Sequence, residues 1–175
     1  AGLDGEDGAI DGRIDLARLD VERIAREAVG KAVQSRNPRP IEPGVYPVIL
    51  EPQAVADLTG FLTGAFDART ADEGRSAFSA KDGKTRVGER LFSERLNLYS
   101  DPMHPEMPAP PATAEGVPAT RLSLVNGGVV EHLVSQRYWA AQQKREASPG
   151  PVNYILESTA APVPLDKMIE GMERG

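Results

Sequence analysis

Thr120-Arg121-Leu122-Ser123-Leu124-Val125-Asn126-Gly127-Gly128-Val129-Val130-Glu131-His132-Leu133-Val134 is the stretch on which the fold turns. Two apolar, partly β-branched runs flank Asn126-Gly127-Gly128, and Asn and Gly are the residues that tolerate the positive φ of a tight hairpin turn. The spacing predicts paired strands at Thr120–Val125 and Val129–Val134. Upstream, Arg95-Leu96-Asn97-Leu98-Tyr99 alternates polar and apolar and predicts a half-buried strand; downstream, Val152–Glu157 predicts another. The expected fold class is α+β, with a mostly antiparallel mixed sheet flanked by amphipathic helices.

The helices announce themselves by period. Asp20 is placed as an N-cap before Val21, Ile24, Ala25, Ala28, Val29, Ala32 and Val33, an apolar stripe at helical spacing. Asn37-Pro38-Arg39-Pro40 ends that helix, because residues before proline are driven out of the α region. Val45-Tyr46-Pro47-Val48-Ile49-Leu50 predicts a buried strand, with Pro47 confining its first half to an edge or a strand start. Pro52 then opens a helix with Ala54, Val55, Leu58, Phe61, Leu62, Ala65 and Phe66 along one face. Asp67–Gly88 reads as a surface excursion with at most a short strand at Arg75–Ala80. Tyr138–Arg145 predicts a short helix, and Leu165, Met168, Ile169 and Met172 a closing amphipathic one. Six prolines between Pro102 and Pro118 predict a long, largely extended loop. The expected organisation is a flexible acidic, Gly-rich lead at 1–19 followed by a single α+β domain over 20–175 containing the Pro-rich loop 102–118.

Composition removes most enzyme templates. The 175 residues carry 20 Lys and Arg against 26 Asp and Glu, a formal charge of −6, which argues against a phosphate-binding surface and direct nucleic-acid contact. There is no Cys and there are only two His, so thiolate chemistry and an imidazole-rich metal site lack material. His104 and His132 lack the spacing that places two imidazoles on one helix face, and read as ordinary polar residues. Gly-x-Ser-x-Gly and phosphate-loop patterns are absent. The lead has neither a basic n-region nor an apolar run, and no apolar cluster approaches bilayer length; the cytoplasm is the expected compartment. A chain that opens on Ala1 without an initiator Met reads as an excised piece of a protein longer at both ends.

Two places could make contacts. Arg69, Asp72, Glu73, Arg75 and Ser76 concentrate charge after a helix. Guanidinium and carboxylate forks hold a peptide's backbone or termini well, whereas the plainer reading is a solvated connector with local ion pairs. Tyr138 and the single Trp, Trp139, are adjacent and point about 100° apart on a helix, so Trp139 is either wedged at a domain junction or part of a contact surface, with core packing as the plainer reading. Arg69, Glu73, Arg75, Ser76, Tyr138 and Trp139 are the candidate peptide- or partner-binding residues.

Asn37-Pro38-Arg39 with Glu42-Pro43-Gly44, Tyr46–Leu50 with Glu51-Pro52, Asp72-Glu73-Gly74-Arg75-Ser76, Ser100-Asp101-Pro102, Glu115-Gly116-Val117-Pro118, Asn126-Gly127-Gly128-Val129 and Arg137-Tyr138-Trp139-Ala140 follow in an order that resembles the TldD/PmbA family. These are metallopeptidase-related proteins also called modulators of DNA gyrase. The resemblance runs from about Asp20 to Gly175 and implies the central part of a much longer two-domain protein. The family's active branch has a helix bearing His-Glu-x-x-x-His, then Leu-Glu-Gly-Asp-Phe, and a late cysteine. Two imidazoles there hold zinc while the carboxylate takes the proton of its bound water. The corresponding helix here, Pro52–Phe66, contains no His, and Glu51 and Asp57 are its nearest acids.

The chain therefore resembles the PmbA (TldE) branch, whose members pair with a zinc-bearing TldD subunit. The resemblance implies no catalytic or metal-ligating residue and no cofactor in this chain, with zinc in the partner subunit. It further implies a heterodimer with a TldD-like subunit, unfolded peptide as substrate and no membrane contact. Two other readings stand beside it: a zinc-dependent peptidase whose ligands lie outside this chain, and a protein-interaction module of the DNA gyrase modulator type.

Overall fold

The structure, a computed structural model, describes residues 19–172; the lead expected to be flexible lies almost wholly outside the described residues. The described residues divide into two compact units, one of those up to Gln53 with those from Leu165 on, the other Ala54–Pro164. In the first, α1 spans Val21–Gln34 and opens as the sequence predicts, with the Asp20 carboxylate accepting from the Arg23 amide at 2.8 Å. Lys31 on α1 is ion-paired to Glu51 and, at 3.3 Å, to Glu27; the Glu51 hydrogen bond is the main cause holding the ammonium pKa above its usual value. No residue of α1 is buried. This unit also contains α5, Leu165–Glu170.

The expected strand at Val45–Leu50 does not form. Val45, Val48 and Leu50 are 103%, 71% and 46% exposed, and no backbone hydrogen bond joins this segment to another among the described residues. A strand exists only through a neighbour's ladder, and none of the described segments lies alongside to supply one.

α2, Pro52–Thr63, starts on its proline and tightens into a single 3₁₀ turn at Gly64–Phe66. Ala54–Pro164 then holds the sheet: β1 (Leu96–Ser100), β2 (Leu122–Asn126), β3 (Val129–Val130) and β4 (Ile155–Ser158), in the order β3-β2-β1-β4. Every pairing is antiparallel, with an irregularity between Leu98 and Tyr99. This is the expected α+β class, with an open antiparallel sheet. The hairpin turns where the sequence places it, Gly127 and Gly128 having φ of 52° and 79°. A Cβ on Gly128 would lie 2.4 Å from the Phe92 carbonyl oxygen, so only glycine fits.

β1 is central rather than half-exposed, and Leu98, Tyr99 and Ser100 are buried. One side of the sheet carries the core: Phe66, Phe78, Leu98, Leu122, Leu124, Val125 and Val130, with Leu62, Ala65 and Phe92 packed against it. Each such side chain removed from water is worth about 1.5–3 kcal/mol. Asp67–Gly88 is a correction to the expected surface excursion. It forms α3, Ala68–Asp72, with Ala68 and Ala71 buried, and sends Phe78 into the core 4.5 Å from the Phe66 ring. Its two turn signals are real, but the apolar residues between them are enough to anchor the segment.

Asn153 ties the Pro-rich stretch to the sheet. Its amide group donates to the carbonyls of Asp101 (2.7 Å) and Met107 (2.6 Å), and its oxygen accepts from the Asp101 amide and the buried Ser100 hydroxyl. Residues 102–118 contain no helix or strand beyond an isolated bridge between Ala112 and Pro118.

Candidate functional site

α3 is short and held at its start. The Asp67 carboxylate accepts from the Thr70 amide at 2.8 Å, and the amides of Ala68 and Val134 donate to the carbonyls of Val134 and Phe66. With Ala68 and Ala71 turned to the core, helical spacing puts Arg69 and Glu73 on the opposite side and leaves Asp72, four residues after Ala68, on the flank between. Gly74, at φ 78°, reverses the chain so that Arg75 returns beside Glu73. Glu73 accepts from Arg69 Nε at 2.9 Å and from Arg75 Nε at 3.1 Å. These two guanidiniums, Arg75 first, hold its carboxyl below the usual carboxylate range.

α4, Arg137–Gln142, sits on the same site through buried Ala140 and places Trp139 against α3. The indole Nε1–H donates to Asp72 Oδ2 at 2.6 Å, and Arg69 stacks over the indole with its guanidinium 5.3 Å from the ring centroid. Arg145, just past α4, completes the hub: Nη2 donates to Asp72 Oδ2 at 2.5 Å, Nη1 reaches Oδ1 at 3.5 Å, and Nε reaches the Ser135 hydroxyl at 3.3 Å. Ser135 is buried and exchanges hydrogen bonds with Ser148, closing the loop that carries Arg145.

Four of the six candidate residues, Arg69, Glu73, Arg75 and Trp139, thus converge. Tyr138 is 68% exposed on the adjoining surface. Ser76 faces inward, donating to the Ala65 carbonyl at 2.6 Å and accepting from the Phe78 amide, which starts the turn into the core. Asp72 and Arg145 are the members sequence reasoning missed as a pair; 73 residues separate them, and no spacing rule connects them. Three guanidiniums face two carboxylates, and the side chains of Arg69 and Arg75 remain 54% and 61% exposed. Their free N–H groups can donate to carbonyl or carboxylate oxygens of a docked chain.

The second polar surface is the uncovered side of the sheet, where Asn97, Tyr99, Arg121, Ser123, Glu131 and Glu157 line a concavity of about 260 Å³. Arg121 stacks on Tyr99 at 4.3 Å and pairs with Asp101 at 3.3 Å. Burial and, next, a hydrogen bond with Glu157 push the Tyr99 phenol up, while donation from Ser123 and Asn126 holds Glu131 low.

Zinc does not fit the described residues. α2 bears no His, the ring nitrogens of His104 and His132 meet only the Glu106 amide and the Ser123 carbonyl, and no three His, Cys, Asp or Glu converge among the described residues. No helix among the described residues is long and apolar enough to cross a membrane.

An open four-stranded antiparallel sheet, with an Arg-carboxylate-Trp cluster joining α3 and α4, defines an α+β domain with a polar surface cluster. The chain belongs to the PmbA/TldD metallopeptidase family: residues 43–175 match the PmbA/TldA metallopeptidase C-terminal domain. A metalloprotease from Methanothermobacter thermautotrophicus is 30% identical over 139 residues, covering 76% of this chain and 28% of that protein. The crystal structure of TldE from Thermococcus kodakarensis is similar at a TM-score of 0.70 and 26% identity, over 94% of this chain and 39% of that one. A protein described as a DNA gyrase modulator, from Bacteroides thetaiotaomicron, shares the fold at a TM-score of 0.75 and 19% identity, over 92% of this chain and 36% of its own. The chain spans well under half the length of these relatives.

Proposed function

We propose that this chain is part of a non-catalytic, PmbA/TldE-like subunit of a TldD/PmbA-type metallopeptidase assembly that degrades unfolded peptides in the cytoplasm. The observation that carries the reading is α2: the helix that the resemblance matches to the family's zinc helix holds no imidazole, in a chain that belongs to the family and is 26% identical to a TldE. Its work is to brace a zinc-bearing partner and to help hold an extended peptide. Arg69, Arg75 and Tyr138 are the exposed donors for partner or peptide oxygens, and Glu73 and Trp139 hold the two arginines in place. β4, which among the described residues pairs only with β1, offers a backbone edge to which an unfolded peptide can add as a strand.

The natural protein is purified from its own cell extract without tags, its companions identified by mass, and zinc measured. Recovery of a paralogue bearing His-Glu-x-x-x-His with zinc at one ion per pair supports the reading. A second reading, a peptidase with its own zinc ligands beyond these residues, is favoured by the likeness to a metalloprotease of which this chain covers only 28%; stoichiometric zinc in the protein alone, lost with activity on chelation, would establish it. A gyrase-modulating interaction module predicts instead salt-independent binding to gyrase without DNA.

A further inference from the structure

Val45–Leu50 has the composition of a strand and, among the described residues, none of its ladder bonds. Val45, Val48 and Ile49 are β-branched and Tyr46 aromatic, the residues that favour pleated, half-buried surfaces. Yet Val45 and Val48 lie bare at 103% and 71% exposure, and no backbone hydrogen bond leaves the segment among the described residues. Beside it runs a largely apolar groove of about 480 Å³, lined by Pro47, Val48, Ile49 and Glu51 together with Leu165, Ile169 and Met172. A bare apolar segment with unpaired amides is an aggregation template, which folded proteins cover. The relatives supply the means, since 61–72% of their length lies outside the part this chain matches.

We propose that Val45–Leu50 is a strand whose ladder partner is a β-strand of the same natural polypeptide lying beyond these 175 residues, and that the pairing uses the edge bearing the Tyr46, Val48 and Leu50 amides. The edge follows from Pro47. Successive N–H groups of a strand point to alternate edges, so Val45, Pro47 and Ile49 share one edge, and Pro47 has no N–H to give. A three-donor ladder is available only on the other. An intramolecular strand is present at a millimolar effective concentration that a separate chain at micromolar levels does not reach. Apolar side chains of that added strand fill the groove beside α5.

The test is single-amide hydrogen exchange on the natural protein, alone and at a concentration where light scattering reports a monomer. The expected result is that Tyr46, Val48 and Leu50 exchange roughly 100-fold or more slowly than Val45 and Ile49. Exchange of all five at unprotected rates would overturn the proposal. So would protection that appears only on self-association or on adding a paralogue, because the partner strand would then belong to another chain. Equal protection of Val45 and Ile49 would overturn the edge assignment. An intact mass of 18.8 kDa for the natural protein would remove the partner altogether. None of these outcomes depends on whether the protein holds zinc, so the failure of this inference is distinguishable from failure of the proposed function.

Discussion

Trp139 Nε1 donates to Asp72 Oδ2 across 2.6 Å, joining α4 to α3 through a carboxylate that also receives the Arg145 guanidinium. Asp72→Ala leaves an indole N–H and a guanidinium without their acceptor, an expected loss of about 1–3 kcal/mol. Asp72→Asn keeps one oxygen acceptor and is expected to lose less. Urea unfolding followed by the emission of Trp139, the chain's single Trp, measures both. Equal stability of wild type and Asp72→Ala would show that the hub contributes nothing to the fold.

Arg69 and Tyr138 are surface residues whose truncation spares the core. Arg69→Ala and Tyr138→Ala are each expected to weaken capture of the zinc-bearing paralogue about 5- to 30-fold, the effect of losing one hot-spot side chain worth about 1–2 kcal/mol. Far-ultraviolet dichroism is expected to be unchanged. Unaltered affinity in both would move the interface elsewhere on the molecule.

Phe78 is 2% exposed and lies 4.5 Å from Phe66 and 6.3 Å from Phe92, ring to ring. Phe78→Ala opens a cavity in the core and is expected to cost about 3–5 kcal/mol. A surface position for this segment, as its turns suggest, would make the same change nearly neutral in calorimetry.

Gly128 and Gly127 separate two effects at one turn. Both have positive φ, but a Cβ meets the Phe92 carbonyl at 2.4 Å only at Gly128; at Gly127 the nearest atom, the Glu94 carbonyl oxygen, is 3.7 Å away. Gly127→Asn is expected to be nearly silent. Gly128→Ala is expected to lose more than the roughly 1–3 kcal/mol of backbone strain alone, read as a drop in melting temperature.

Ionisation adds two opposite pH dependences. The Tyr99 phenol is raised by burial and then by Glu157, so its stabilisation is complete below the ordinary tyrosine pKa near 10 and disappears as pH climbs through the folded value. Glu73 is lowered by Arg75 and Arg69. Its contribution is present above the ordinary carboxylate pKa and is lost as pH falls through the folded one. Stability profiles of Tyr99→Phe and Glu73→Gln are expected to flatten the alkaline and acid limbs respectively.

What was legible along the chain was what neighbours in sequence decide. Asp20 caps α1, Pro52 starts α2, and Asn126-Gly127-Gly128 turns the hairpin, because capping and turn chemistry act over a few residues. The α+β class followed from those elements, and the family resemblance from an ordered series of short motifs. In the site, the charge of Arg69, Glu73 and Arg75 and the lone Trp139 were visible, since composition marks them.

The sequence by itself determined the caps and starts of α1 and α2, the position of the hairpin turn and the lack of an imidazole on α2. Only the tertiary structure decided that Asp72 meets Trp139 and Arg145 across 67 and 73 residues, that Phe78 enters the core, and that Val45–Leu50 finds no ladder partner among the described residues. Burial and ladder pairing depend on which distant segment the chain brings alongside. That choice is made by the summed packing of the whole core, in which no short window of residues has more than a small share.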